Sequence, residues 1–279
     1  MIAFEGIPMA ENDSQDWLPD TIDPMVPSAA RVYDYQLGGV HNFAVDRALG
    51  DQARIVWPDI AAVAQANRAF LQRAVRYLSA AGIDQFLDIG SGVPTVGNVH
   101  EIALAADPTA HVVYVDIDPV AVECSRALLI DEPNVTVVQA DFNRIDALLA
   151  HPELTRLIDF TRPVAVLLVA LLHVVADDDH PERSLARLRD ALPWGSYLAL
   201  SHLSDEGPAE RVRGIEELSQ AMPTPIRMRS RERITAYLDG FDLIDPGLVQ
   251  APAWRPDHPD DLDDDPDRFY EFAAVARVR

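Results

Sequence analysis

The sequence predicts an α/β chain whose largely parallel sheet is covered by helices on both faces. Three observations carry that expectation. The run Phe86-Leu87-Asp88-Ile89-Gly90-Ser91-Gly92 is a short apolar segment that breaks into a glycine turn, with an acid two residues before the first glycine. Two later apolar segments also end in acids, 112–116 at Asp116 and 135–142 at Asp141-Phe142. From residue 85 onward, strand-like and helix-like patterns alternate, as crossover connections between parallel strands require. A strand, a glycine turn, a helix and an acid at the next strand tip form the layout of nucleoside-binding α/β folds.

Taken in order, residues 1–28 are polar, carry Pro8, Pro19, Pro24 and Pro27, and show no sustained period, so a flexible N-terminal arm is expected. Residues 29–80 read as helical and are expected to pack as a lid on a main domain spanning 81–279. Within them Phe70, Leu71, Ala74, Val75 and Leu78 fall at helical spacing, so that one face covers the sheet. Gly38-Gly39 and Trp57-Pro58 interrupt the helical pattern. Seven strands are expected near 85–89, 111–116, 135–140, 163–170, 196–202, 241–249 and 270–278. Helices are expected near 98–106, 119–130, 143–150, 181–192, 207–221 and 230–239.

Local signals fix several boundaries. Asn98 and Glu101 have the spacing of a capping box, which starts the first crossover helix six residues beyond Gly92. Pro94 stands where a third glycine is usual and removes a backbone donor from the loop. Asp118-Pro119 is a good helix start, which leaves Asp116 free for a ligand. In the last segment Phe272, Ala274, Ala276 and Val278 share one face, with Glu271 and Arg277 on the other, so one face is expected to be the better buried.

With three strand-tip motifs in order, the chain resembles the class I methyltransferases that use S-adenosylmethionine. Asp88, Gly90, Ser91 and Gly92 stand at their glycine motif, Asp116 and Ile117 at the acid for the ribose hydroxyls and its neighbour, and Asp141-Phe142 at the pair that holds adenine. A closer likeness lies upstream, in 30–39, Asn42-Phe43-Ala44-Val45-Asp46-Arg47 and Asn67-Arg68-Ala69-Phe70-Leu71. It is similar to an actinobacterial family of S-adenosylmethionine-dependent methyltransferases long carried as a domain of unknown function. That likeness covers nearly the whole chain and brings no known substrate. It implies a doubly wound, seven-stranded Rossmann-like sheet with the last strand antiparallel.

Composition narrows the partners. The 279 residues with 48% hydrophobic content suffice for one large domain. The net charge is −22 and every basic residue other than histidine is arginine. So acidic a chain repels phosphate backbones, which disfavours nucleic acid and points to a small-molecule acceptor. The absence of lysine excludes Schiff-base chemistry and a P-loop lysine. The single Cys124 permits no internal disulfide, no apolar run reaches membrane-span length, and the acidic N-terminus lacks the start of a signal peptide, so the cytoplasm is expected. Oligomeric state is not legible.

Methyl transfer is a displacement at a carbon already activated by a positive sulfonium, so the protein chiefly positions two reactants and excludes water. Asp116 is expected to accept from two ribose hydroxyls, and Asp141 from the adenine amino group with Phe142 against the ring; capping of the following turn is the competing role for Asp141. Asp88 is expected to orient the glycine loop or the cofactor ammonium, and Leu171 to pack near the adenosine. His173 and His202 follow the fourth and fifth strands, at the edge where a general base would stand, and a structural histidine is the alternative for each. Tyr33 is expected among the cofactor-binding residues; Tyr33 and Tyr35 cannot share a helical face, so one is expected to pack and one to face the pocket. Arg68 has the reach and the fork to hold a carboxylate in place of the donors lost at Pro94. Asp177-Asp178-Asp179 beside His180 read as helix-start acids, and the stretch 257–267 as a solvated loop in which Pro266 replaces the glycine a calcium loop needs, so no metal is expected. A nicotinamide-dependent oxidoreductase would also want Asp116, but Val93-Pro94-Thr95 lacks its third glycine. A non-catalytic S-adenosylmethionine-binding protein is the other alternative.

Overall fold

The computed structural model describes residues 23–94, 97–258 and 268–279. Most of the expected N-terminal arm, Thr95 and most of the acidic stretch 257–267 therefore lie outside the described residues. Three helices lead in: α1 (Ala29–Gln36), α2 (Ala44–Val56) and α3 (Ile60–Ala80). An alternating region follows, with β1 (Gln85–Ile89), α4 (Val99–Ala106), β2 (His111–Asp116), α5 (Pro119–Leu128), β3 (Val135–Gln139), α6 (Ile145–Leu149), α7 (Pro152–Leu157) and β4 (Ala165–Val169). The chain ends with α8 (Pro181–Ala191), β5 (Tyr197–Leu203), α9 (Ala209–Ser219), α10 (Arg231–Ala236), β6 (Phe241–Leu243), β7 (Val249–Gln250) and β8 (Glu271–Val278).

The strands form one sheet in the order β3-β2-β1-β4-β5-β8-β6, with β7 also pairing β8. The ladders among β1 to β5 are parallel, and β8 runs antiparallel to β5, β6 and β7. The sheet thus has eight strands where seven were expected. The single strand expected at 241–249 divides in two because Pro246 and Gly247 interrupt it, Gly247 turning at φ 87°. The final strand is antiparallel, as the resemblance implied.

Alternation along the strands builds two cores. Phe86, Val112, Leu167, Ala199 and Val275 pack with Phe70, Leu71 and Leu78 of α3 on one face. Leu87, Val113, Val166, Leu200 and Ala274 pack with helices α6, α7, α8 and α10 on the other. A side chain such as Phe70 or Leu78, with no exposed surface, contributes about 1.5–3 kcal/mol by leaving water. The expectation that β8 has one better-buried face is corrected. Every residue of β8 but Arg277 is buried, because the strand lies inside the sheet rather than at its margin.

Candidate active site

Parallel strands aim their carboxyl ends at one edge of the sheet, and that edge carries the acids. Gly90 and Gly92 take φ of 76° and 66°, backbone that a side chain rarely adopts. The turn they make sends the N–H groups of Gly90 and Ser91 back to the carbonyl of Val115, at 2.8 and 3.1 Å. Leu171, just past β4, lies over the turn: a Cβ on Gly90 would stand 2.7 Å from its Cδ1.

Asp116 closes β2 and holds the loop. Its Oδ2 accepts from Gly92 N–H at 2.7 Å and its Oδ1 from Asp118 N–H at 2.8 Å. It is therefore less free than expected, yet each oxygen keeps a second lone pair for a hydroxyl donor. Burial pushes its carboxyl up to about 6, against the backbone donors of Asp118 and Gly92. Asp118 begins α5 as expected, its Oδ1 accepting from Val120 N–H at 2.8 Å. Ile117 beside it is 53% exposed, an open apolar side chain at the strand tip.

Asp88 is 4% exposed at the end of β1. Burial raises its carboxyl to about 7; the Arg68 guanidinium opposes the shift and the Asp116 charge adds to it. Arg68 reaches in from α3, its Nη2 donating to Asn98 Oδ1 at 2.9 Å. That bond alters the expected capping box. Asn98 Oδ1 is taken by arginine, and Glu101 accepts instead from Asn98 Nδ2 and from Gly97 N–H, at 2.8 and 3.0 Å. Arg68, Asp88, Ser91, Gly92, Pro94 and Asn98 line one small cleft.

Arg68 Nε and Ser91 Oγ are both buried without a hydrogen-bond partner. Such groups cost free energy unless something completes them. Together with the spare lone pairs of Asp116 and the buried acid Asp88, they fit an S-adenosylmethionine whose carboxylate, ammonium and ribose meet Arg68, Asp88 and Asp116.

At the third tip, Asp141 Oδ1 accepts from Asn143 N–H at 2.8 Å, the capping bond of the short 3-10 turn Phe142–Arg144. Phe142 is 4% exposed and packs into the core with Ile145 and Leu148, so its ring is not an open wall against adenine. The apolar surface open at this edge is Ile117.

The two histidines stand in a different setting from a solvent-facing base. His202 has no exposed surface; its Nδ1 lies 2.7 Å from the carbonyl of Leu203 and its Nε2 2.9 Å from Arg229 Nη1. Arginine only donates, so Nε2 accepts and the proton sits on Nδ1. His173 is 7% exposed, receives the Leu203 N–H at 3.5 Å, and packs edge-on against His202. Burial, reinforced by the Arg229 charge, lowers His173 to about 3, and burial likewise holds His202 well below its usual value. Arg229, which sequence reasoning missed, also donates to the carbonyls of Leu172 and Val175 and pairs with Asp177 at 2.9 Å. It ties the loop after β4 to β5. Asp177 to Asp179 form a short turn before α8, and no group of three metal-type ligands occurs among the described residues.

The N-terminal helices close over this edge through contacts that spacing did not reveal. Arg31, 4% exposed, donates to Asp46 Oδ2 at 2.8 Å and to Asp118 Oδ2 at 3.2 Å. Ser28 Oγ also bonds Asp118, and Ser28 N–H donates to Asp46 Oδ1 at 3.0 Å. Tyr33 and Tyr35 diverge as expected of residues two apart. Tyr33 Oη donates to the Ala64 carbonyl at 3.1 Å and accepts from Asn67 Nδ2 at 2.9 Å, whereas Tyr35 bonds Asp51 and stacks under Arg54.

Comparison with known proteins agrees with this geometry. Residues 15–279 match the family model described as S-adenosyl methyltransferase. A crystal structure of a protein assigned as a methyltransferase from Thermobifida fusca is 41% identical, with TM-score 0.88, over 94% of this chain and 99% of that one. A DUF574 family protein from Streptomyces avermitilis is 37% identical, also with TM-score 0.88, over 92% and 99%. A search of curated proteins finds no match. The chain belongs to the S-adenosyl methyltransferase family and takes S-adenosylmethionine as its methyl donor.

Proposed function

We propose that the chain transfers the methyl group of S-adenosylmethionine to a small-molecule acceptor in the cytoplasm, with Asp88, Gly90, Ser91, Gly92, Asp116, Ile117, Asp141, Leu171 and Arg68 forming the cofactor site. The observation that carries the residue assignment is the pair of buried, unpartnered donors, Arg68 Nε and Ser91 Oγ, beside Asp88 in one cleft. The bound cofactor supplies an electrophilic methyl on a positive sulfur. Arg68 holds the carboxylate and Asp88 the ammonium, which draws its carboxyl back toward the ionised form. Asp116 orients the ribose, Asp141 keeps one oxygen for the adenine amino group, and Ile117 covers the ring. Phe142 supports that tip from the core.

In this reading His173 and His202 keep the Arg229 clamp in place rather than take a proton, because rings held so far below neutrality are weak bases. Residues 29–56 act as a lid, fastened by Arg31 to the residue that caps α5. Net charge −22 supports a small molecule over nucleic acid. Among the described residues no helix is long and apolar enough to cross a membrane. Methyl transfer from labelled cofactor, screened against nucleic acids, proteins and metabolite extracts, tests the acceptor class. Labelling confined to the metabolite fraction is expected, and robust labelling of RNA or DNA at physiological salt would overturn it.

A further inference from the structure

Between the N-terminal helices and the sheet lies a second buried polar group, outside the cleft lined by Arg68 and Asp88. Ala170 N–H donates to Ser201 Oγ at 2.9 Å, and Ser201 Oγ donates to Asn67 Oδ1 at 2.6 Å. Asn67 Nδ2 then donates to Tyr33 Oη, whose proton goes to the Ala64 carbonyl. Glu271 stands beside Ser201, at the start of β8 and opposite Leu203, the last residue of β5. It is 2% exposed, and its Oε2 is buried without a hydrogen-bond partner.

The donor arithmetic makes this arrangement informative. A serine hydroxyl has one proton, and that of Ser201 is committed to Asn67. The Tyr33 proton is committed to Ala64. Glu271 Oε2 is thus left without a donor, and burial pushes the carboxyl up to about 8, opposed only by a hydrogen-bonding contribution from Ser201. A buried carboxylate ordinarily has a cation or several donors; among the described residues Glu271 has no cation beside it and an oxygen with no donor. The backbone on either side is also strained: Ala170 and Tyr270, both non-glycine, take φ of 58° and 44°. Strain of this kind persists where the surroundings hold a site in shape.

The location suits the acceptor. Glu271 is at the carboxyl edge of the sheet, and Ala170 joins the cluster to Leu171, which lies on the Gly90 turn. Tyr33 belongs to α1 and Asn67 to α3, where it immediately precedes Arg68. The cluster thus adjoins the cofactor cleft on the side of β4 and β5, and α1 roofs it. A strongly acidic protein also raises the local concentration of small cations.

We infer that Glu271, flanked by Tyr33 and Asn67, binds the methyl acceptor, and that the acceptor presents a protonated amine whose nitrogen is methylated. This rests on the methyl-transfer reading above. The Glu271 carboxylate takes one ammonium proton. The freed nitrogen lone pair forms the N–C bond to the sulfonium methyl as the C–S bond breaks and its electron pair returns to sulfur. The products are an N-methylammonium, a thioether and protonated Glu271, so atoms and charge balance. Tyr33 and Asn67 wall the amine in, and α1 must shift to admit it.

The test uses the full chain saturated with S-adenosylhomocysteine. Calorimetry compares ethylamine, benzylamine and tryptamine with ethanol, benzyl alcohol and tryptophol, on wild type, Glu271→Gln and Glu271→Asp. At least one amine should bind ten-fold or more tightly than its alcohol. Glu271→Gln should erase that preference while leaving S-adenosylhomocysteine affinity within two-fold, and Glu271→Asp should retain part of it. Labelled methyl should appear on the preferred amine with wild type. Equal binding of amine and alcohol, no amine binding at all, or a preference that survives in Glu271→Gln would overturn the inference. Failure of wild type to bind S-adenosylhomocysteine would instead sink the cofactor site on which it rests.

Discussion

Arg31 is the side chain whose loss should be felt most widely. Its guanidinium reaches Asp46 at 2.8 Å, Asp118 at 3.2 Å and the Val26 carbonyl at 2.6 Å, with the Phe43 ring 4.8 Å from its centre. Asp46 is fully buried and Asp118 nearly so, at 0% and 9% exposure. Arg31→Leu keeps the apolar stem but strands two carboxylates out of water. Removing one partner of a buried ion pair typically costs about 3–5 kcal/mol. At roughly 2–4 °C per kcal/mol for chains somewhat shorter than this one, the melting temperature should fall by roughly 6–20 °C. If α1 and α2 release locally instead, the loss should appear as lower amide-exchange protection across residues 29–56. Arg31→Lys keeps the charge but not the fork, and should lose less. Affinity for S-adenosylhomocysteine should drop as well, because Asp118 N–H steadies Asp116. A melting shift below about 1 °C, with protection of 29–56 unchanged, would refute the claim that this network fastens the lid.

Gly90→Ala should cost about 1–2 kcal/mol in backbone strain plus a clash with Leu171, whereas Gly92→Ala, with open space around its Cβ, should show the strain alone; denaturant unfolding of both checks the difference. Arg68→Leu should weaken S-adenosylhomocysteine binding by ten-fold or more and leave methylthioadenosine, which lacks the amino-acid end, nearly unaffected; calorimetry with both ligands decides it. For pH, a carboxyl raised on folding stabilises the chain fully below its unfolded value and loses that stabilisation as pH rises through the folded value. Asp88 at about 7 and Glu271 at about 8 therefore make ligand-free stability fall as pH rises from the ordinary carboxylate range, the Asp88 share being lost by about pH 7 and the Glu271 share by about pH 8. Glu271→Gln should flatten the upper part of that fall in melting scans across pH. His202→Asn should lower stability through the loss of the Arg229 contact without moving the pH profile of turnover, and a shifted kinetic pKa would contradict the structural role.

The strand tips and their glycine turn were legible because their requirements are local. A glycine turn needs glycines at fixed offsets, and an acid at a strand tip follows directly from where an apolar run ends. Gly90, Gly92, Asp88 and Asp116 could all be placed that way, and so could Asp118-Pro119 as a helix start. The networks could not. Arg31 meets Asp118 across 87 positions and Ser201 meets Asn67 across 134, and no periodicity reports such pairs. Glu271 shares with Arg277 the face of the last strand opposite Phe272, Ala274, Ala276 and Val278, and the alternation predicts only one of the two faces to be well buried. Only the insertion of β8 between β5 and β6 buries both sides. Two further boundaries are marked by proline. Pro246-Gly247 divides the expected sixth strand, and His151-Pro152 opens α7, with proline at the first helical position as that helix start favours. His173 and His202 stand in the loop after β4 and near the end of β5, and it is Arg229, from a distant segment, that sets their environment.

In the proposed function the tips of β1 and β2 hold S-adenosylmethionine through Asp116 and its neighbours. Calorimetric titration of S-adenosylhomocysteine into wild type and Asp116→Asn, with NADH as a parallel ligand, tests it most directly. A hydrogen bond to a charged group is worth about 1.5–3 kcal/mol, or roughly ten- to 150-fold in affinity. Wild type should bind saturably, Asp116→Asn should bind at least ten-fold more weakly, and NADH should give no heat. Unchanged affinity in Asp116→Asn, or NADH binding in place of S-adenosylhomocysteine, would contradict it.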